Sequence, residues 1–394
     1  MSATDTPQPA YWIWQQPGWP GFCHDSSTLS EPLRQCHQAQ AQLLGAAGAV
    51  PAGEQALDTL LQNIITSSAI EGENLNAGSV RSSLARRLGL PDPAPVAGRS
   101  ERSEGMAELM LDATGDVLRP LDLPRLLHWH RLLFAQGNDL LGPRIHIGAL
   151  RGNEPMQVVS GRIDRPVVHF QAPPREGLER ELDAFLAWFA SSRHDPALDP
   201  LLRAGIAHFW FVTLHPFDDG NGRLTRALTD LALAQAAPDI ARLYAMSASI
   251  LDDRSGYYRI LESCQRGSMD ITAWLHWFLH TLLNALQQAQ GRIGRVLDKA
   301  RFWQVHAGHQ LHESQRKVLN RLLDGGPRGF ADGISASQYQ AVAKVSKATA
   351  TRHLADLLEK RCIQRLPGGG RSTRYHLLLP GSAGHATPSG DGTA

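Results

Sequence analysis

Apolar side chains recur at helical spacing along most of this chain. Leu202, Ile206, Phe209 and Thr213 keep a helical period, and Pro216 stops it beside His215, because proline has no N–H to donate and its ring meets the preceding turn. Leu224, Leu228 and Leu231 restart the period. A second helix therefore opens at Gly220-Asn221-Gly222, where two glycines free the turn from Cβ clashes.

The same spacing predicts helices over Ser30–Leu44, Glu54–Gly72, from Glu104, and over Leu123–Phe134, Asp252–Cys264 and Thr272–Ala289. His128 and His130 fall on different faces of one of them, which suits packing or surface roles rather than a metal pair. Two β-prone runs, Gln157–Ser160 and Val167–Gln171, flank Gly161–Pro166 and predict a hairpin that must lean on the helices. The aromatic, Pro- and Gly-rich stretch Tyr11–Phe22 predicts an extended arm packing its tryptophans onto a helical body. Tyr257 or Tyr258 could face a base pocket or the core equally well.

The C-terminal part has a different grammar. Helical runs over Gln315–Leu323, Ser337–Lys344 and Ser346–Lys360 precede strand-like Cys362–Leu366 and Thr373–Leu379. Three helices and a hairpin predict a winged helix-turn-helix domain, with Ser346 as a helix cap. From Lys299 to His376 there are 14 Lys or Arg against 5 Asp or Glu, a net +9 within a chain whose total is +1. That points to an anionic partner, and DNA is favoured over a protein-docking role. Lys347, Thr349 and Arg352 would face the major groove, and Arg371 and Arg374 on the wing would meet phosphates.

Composition sets the outer bounds. A chain of 394 residues with 42% hydrophobic and 20% charged residues is an ordinary globular protein of two or three domains. Cys23, Cys36, Cys264 and Cys362 form no Cys-x-x-Cys pair, which argues against a disulfide framework or a zinc site and for a reducing cytoplasm. No stretch reaches the roughly 20 apolar residues of a membrane span, and Met1–Ala10 has no secretory pattern. The expected domains are an N-terminal module over 5–95, a helical domain over 96–296, the winged helix over 297–380 and a disordered tail over 381–394.

The chemistry concentrates in His215-Pro-Phe-Asp-Asp219-Gly220-Asn221-Gly222-Arg223-Leu-Thr-Arg226. A helix start presents unpaired N–H groups and partial positive charge to an anion, and Arg223 and Arg226 share a face beside it. Asp219 is a hard ligand suited to Mg²⁺ among phosphates. His215 can take a proton near neutral pH.

This stretch matches the Fic-family signature His-x-Phe-x-(Asp/Glu)-Gly-Asn-Gly-Arg-x-x-Arg at every specified position. The resemblance implies a mainly α Fic-type helical bundle with a small β-hairpin flap, and transfer of AMP from ATP to a Ser, Thr or Tyr hydroxyl of a protein. It implies that His215 is the base, that Asp219 holds Mg²⁺, that Gly220, Asn221 and Gly222 cradle the phosphates, and that Arg223 and Arg226 meet the pyrophosphate and the terminal phosphate. The flap would hold the target as an added strand. Ser67-Ser-Ala-Ile-Glu71-Gly72 resembles the family's inhibitory motif, which implies that Glu71 pairs with Arg226 and takes the place of the γ-phosphate. Two alternatives stand beside AMP transfer: removal of AMP by the same site, and a DNA-binding transcription regulator whose nucleotide site only senses. A homodimer is compatible with the chain; the target protein and the operator are not legible in it.

Overall fold

The computed structural model describes residues 12–48, 52–91, 100–135, 145–162, 165–325, 330, 332–367 and 373–379. Residues 92–99, the wing residue Arg371 and the tail over 381–394 lie outside them. The chain divides into two compact units, Met1–Ala289 and Gln290–Ala394.

The first unit is built from helices α1 (Ser26–Ala47), α2 (Ala52–Ile70), α3 (Ala77–Arg87), α4 (Glu101–Gly115) and α5 (Leu123–Leu133), then a β1–β2 hairpin (Gln157–Arg162, Arg165–Gln171). Helices α6 (Leu178–Ser191), α7 (Pro200–Leu214), α8 (Asn221–Ala236), α9 (Met246–Asp252) and α10 (Arg254–Gln265) follow, and α11 (Thr272–Val305) carries the boundary between the units. Asp199 caps α7 by accepting from Leu201 N–H, and Pro200 suits the first helical position. From Leu201 to Leu214 every α7 residue is buried, the expected fate of a helix that is apolar on all sides. Its histidine is satisfied internally: His208 bonds the Thr229 hydroxyl (2.8 Å) and Tyr257 OH (3.0 Å).

Two expectations need correction. The segment 13–20 is a short 3-10 turn over Ile13–Gln15 followed by further turns, not an extended strand. Its aromatics do pack inward, Trp12 edge-on to Phe170 and Trp19 edge-on to Trp210. Asp252–Cys264 is not one helix. It breaks at Asp253, whose side chain accepts from Gly256 N–H and starts α10.

The hairpin forms with a bulge between Val158 and Val159. It leans on α10 through His169 Nδ1 and Glu262 Oε2 (2.8 Å), and Arg266 donates to Val168 O (2.8 Å).

In the second unit, α12 (Glu313–Asp324), α13 (Ala336–Ala343) and α14 (Lys347–Glu359) pack with a three-stranded antiparallel sheet ordered β3-β5-β4. Its strands are β3 (Ile334–Ser335), β4 (Ile363–Arg365) and β5 (Arg374–Leu377). Two-residue β3 was too short to announce itself in the sequence. Phe302, Leu319, Tyr339, Leu354 and Ile363 form the core. Ser346 caps α14 by accepting from Thr349 N–H. No described helix is long and apolar enough to cross a membrane.

Candidate active site

Helix α7 ends at Leu214, and His215 turns the chain with φ 50°, ψ 58°. The left-handed backbone re-aims the chain away from the α7 axis. His215 Nδ1 lies 3.0 Å from Val212 O. A carbonyl only accepts, so Nδ1 carries the proton and Nε2 keeps the lone pair. Burial lowers the imidazole's pKa, and the nearby Arg151 charge adds to this against the opposing Val212 bond. His215 is therefore neutral at neutral pH, with its basic nitrogen fixed by geometry.

The loop after it is held from several sides. Asn221 Oδ1 accepts from Phe217 N–H (2.9 Å) and its Nδ2 donates to Phe217 O (2.7 Å). The Asn221 amide is thus a clamp on the loop's own backbone rather than a phosphate ligand; what it offers an anion is its N–H at the start of α8. Asp218 accepts from the His146 and Gly152 N–H groups (2.8 and 3.2 Å). Arg151, buried, donates through Nε to His215 O (2.9 Å) and through its own N–H to Pro216 O (3.0 Å). His130 accepts from Gly148 N–H at Nδ1 (2.9 Å), so its Nε2 donates to Asp219 O (3.2 Å), while its ring stacks on Phe217 at 4.3 Å. Burial takes the His130 pKa down to about 4, which keeps that tautomer uncharged.

Gly220 takes φ 82° just before α8. A Cβ there would meet Leu133 Cδ2 at 2.5 Å, so close approach and backbone conformation both require glycine. Gly222 is required differently: a Cβ on it would lie 2.1 Å from Glu71 Oε1. That carboxylate can reach the start of α8 because residue 222 has no side chain.

Glu71 stands in the turn one residue beyond α2 rather than inside the helix expected over Glu54–Gly72, and Gly72 takes φ 80°. Its Oε1 lies 2.7 Å from Arg226 Nη2, and Arg226 also donates to Ser67 Oγ (2.9 Å) and Ser67 O (2.8 Å). Burial would raise the Glu71 pKa, but the Arg226 charge and bond, with Arg223, hold it below the ordinary carboxylate value. Tyr258, half-exposed, has its OH 3.4 Å from Glu71 Oε2, whereas Tyr257 is buried against His208.

Arg223 carries an acid that the sequence reading missed. Its Nη1 lies 2.7 Å from Glu73 Oε2, and Arg102 grips the same carboxylate. Arg223 is 2% exposed, and its guanidinium lies 5.3 Å from the Phe134 ring centre. Buried Arg223 Nε and Arg226 Nη1 have no hydrogen-bond acceptor among the described residues.

Glu71, His215, Asp219, Gly222, Phe170 and Tyr258, among others, line a cavity of about 620 Å³. That volume suits a small molecule the size of a nucleotide. Asp219, with its side chain 55% exposed, puts a hard oxygen donor on the cavity beside the α8 start, a donor type that fits Mg²⁺ next to phosphate.

In the second unit, Lys347 and Arg352 are exposed along α14 and Thr349 is half-buried in the Ser346 cap. His353, next to Arg352 in sequence, turns inward to Tyr339 OH (3.1 Å). Arg374 donates to Gly333 O (2.9 Å) and so braces the sheet.

The fold and the loop geometry together define a helical protein organised around a glycine-flanked helix start that carries two buried arginines. Residues 120–233 match the family model described as Fic/DOC family, and residues 12–90 match one described as Domain of unknown function (DUF4172). The chain carries a Fic domain. It is 26% identical over 229 residues to a protein adenylyltransferase Fic of Nematostella vectensis, covering 57% of this chain and 47% of that protein. It is 27% identical over 279 residues to one of Drosophila virilis, covering 65% of this chain and 51% of that protein. The chain thus spans about half the length of these curated relatives. A crystal structure of a Fic family protein from Desulfovibrio desulfuricans G20 shares the fold, with a TM-score of 0.50 at 22% identity over 94% of this chain and 98% of that one.

Proposed function

We propose that the first unit transfers AMP from ATP to a hydroxyl side chain of a protein, and that Glu71 holds this activity down. The observation that carries the reading is the Glu71–Arg226 pair at 2.7 Å on the cavity that His215 also lines.

With Glu71 withdrawn, Arg226 and Arg223 would present forked cationic donors to the β- and γ-phosphates. The N–H groups at the start of α8 would complete the cradle. His215 Nε2 would accept the proton of the target hydroxyl as its oxygen attacks the α-phosphorus, and the P–O bond to pyrophosphate would break. Asp219 would hold Mg²⁺, which supplies charge neutralisation to the phosphates when bound. The β-hairpin would hold an extended target segment as an added strand. Relatives named protein adenylyltransferase support the reaction class.

Glu71 lines the same cavity as His215, and this supports a second reading in which its carboxylate positions water to remove AMP. We read the second unit as a winged helix whose α14 enters the major groove, with exposed Lys347 and Arg352 also within reach of the phosphates that flank it. A regulator that only senses nucleotide would bind DNA in an ATP-dependent way without turnover.

Incubation of Glu71→Gly protein and candidate targets with ATP labelled at the α- or the γ-phosphate tests the proposal. Label incorporated from the α position alone supports it. Incorporation from the γ position, or from neither while binding is intact, rejects it.

A further inference from the structure

Within the second unit, His306, His309 and Cys362 bring one nitrogen, one nitrogen and one sulfur within 4.8 Å of one another. We propose that these three side chains form a binding site for a borderline-soft divalent cation, Zn²⁺ foremost, remote in chemistry from the phosphate-handling loop.

The distances argue for it. His306 Nδ1 lies 3.2 Å from His309 Nδ1, and Cys362 Sγ lies 3.6 Å from His306 Nδ1. A tetrahedral zinc ion with ordinary Zn–N and Zn–S bonds spaces its ligand atoms about 3.3 Å apart for two nitrogens and about 3.6 Å for nitrogen and sulfur. Two edges of the triangle already have the lengths that a bound ion imposes. Imidazole and thiolate together select zinc or copper over Mg²⁺ and Ca²⁺, which take oxygen.

The backbone fixes the constellation at two places. His306 and His309 occupy the turn that closes α11, with His306 N–H bonded to Phe302 O and His309 N–H to His306 O. Cys362 sits where α14 gives way to β4, its N–H bonded to Leu357 O and its carbonyl accepting from Leu378 N–H. An ion here would tie the end of α11 to the root of the sheet. Cys362 and His306 are buried while His309 is half-buried, so the fourth coordination position opens toward solvent on the His309 side and would hold water. The absence of a Cys-x-x-Cys pair pointed away from zinc. The ligands here are instead a His-x-x-His pair and one distant cysteine, a set that cysteine spacing alone does not reveal.

The test uses the full chain, stripped of metal with a chelator and titrated with Co²⁺ as a spectroscopic stand-in for Zn²⁺. The expected result is one equivalent bound per chain, with a thiolate-to-cobalt charge-transfer band and the strong visible bands of tetrahedral cobalt. Cys362→Ser abolishes the charge-transfer band, and His309→Gln weakens binding at least tenfold. Zn²⁺ raises the thermal midpoint of the native chain but not of His309→Gln, because an ion bound only to the folded state stabilises it. A native chain with no charge-transfer band overturns the proposal, as does a band that survives in Cys362→Ser. If Cys362→Ser does not fold, His309→Gln decides: cobalt affinity equal to that of the native chain overturns the site.

Discussion

Glu73 Oε2 lies 2.7 Å from Nη1 of Arg223. With Glu71 on Arg226, both arginines of the loop are engaged by acids from one segment just after α2. Arg223 and Arg226 share one face of α8, and Glu71 and Glu73 flank left-handed Gly72 in the turn that ends α2, where Glu73 N–H returns to Ser68 O. On the proposed function, a nucleotide at these arginines would have to displace or share two carboxylates.

Removing the second carboxylate should therefore tighten nucleotide binding. In the Glu71→Gly background, Glu73→Gln lowers the KM for ATP roughly three- to tenfold, the scale of one ordinary hydrogen bond at a partly exposed carboxylate. Steady-state kinetics of the two proteins check this. An unchanged or raised KM would assign Glu73 to positioning Arg223 instead.

The neutral His215 predicts a pH profile. A general base works only when deprotonated, so activity falls as pH drops through its folded-state pKa. That value lies below the ordinary one because burial disfavours the imidazolium. The acid limb of kcat/KM for Glu71→Gly protein should thus have its midpoint below about 6.5. His215→Ala in the same background lowers kcat/KM by roughly 10²- to 10⁴-fold.

Asn221→Ala removes both clamps on Phe217 and leaves a buried N–H and C=O without their partner. We expect a loss of about 2 kcal/mol of stability, read as a lower urea midpoint, together with loss of transfer activity. Asn221→Asp keeps the acceptor and loses the donor, and should fall between the two.

How legible the site was depended on how far apart its parts lie in the chain. His215, Asp219, the two glycines and both arginines occupy one helix corner, so a single stretch announced them. Glu71 was found because a second short motif resembled a known partner of that stretch. Glu73, 150 residues from Arg223, gave no such signal, and neither did His130 or Arg151, whose side chains brace the loop's carbonyl oxygens. Their roles are hydrogen-bond geometry, and spacing does not encode it. The hydrophobic period found the helices but not their breaks: Asp253 divides α9 from α10 by capping, which outweighs the continuing apolar pattern. His353 shows a further limit, since it directly follows exposed Arg352 yet is buried on Tyr339.

For the second unit, the exposed pair Lys347 and Arg352 predicts salt-dependent binding to duplex DNA. Each alanine substitution should weaken binding at all sequences and reduce the slope of log affinity against log salt by about 1. Fluorescence anisotropy over a salt series measures it. An unchanged slope in both variants would point to a protein partner for this face.

The central claim is that a carboxylate seated on Arg226 is what keeps His215 from acting on an ATP-bound target. Intact-mass spectrometry tests it most directly, on native chain, Glu71→Gly and Glu71→Gly/His215→Ala, each incubated with ATP, Mg²⁺ and candidate targets. The account predicts AMP adducts with Glu71→Gly and little or none with the other two. Equal adduct yields in all three, or adducts from the native chain that vanish when Glu71 is removed, would contradict it.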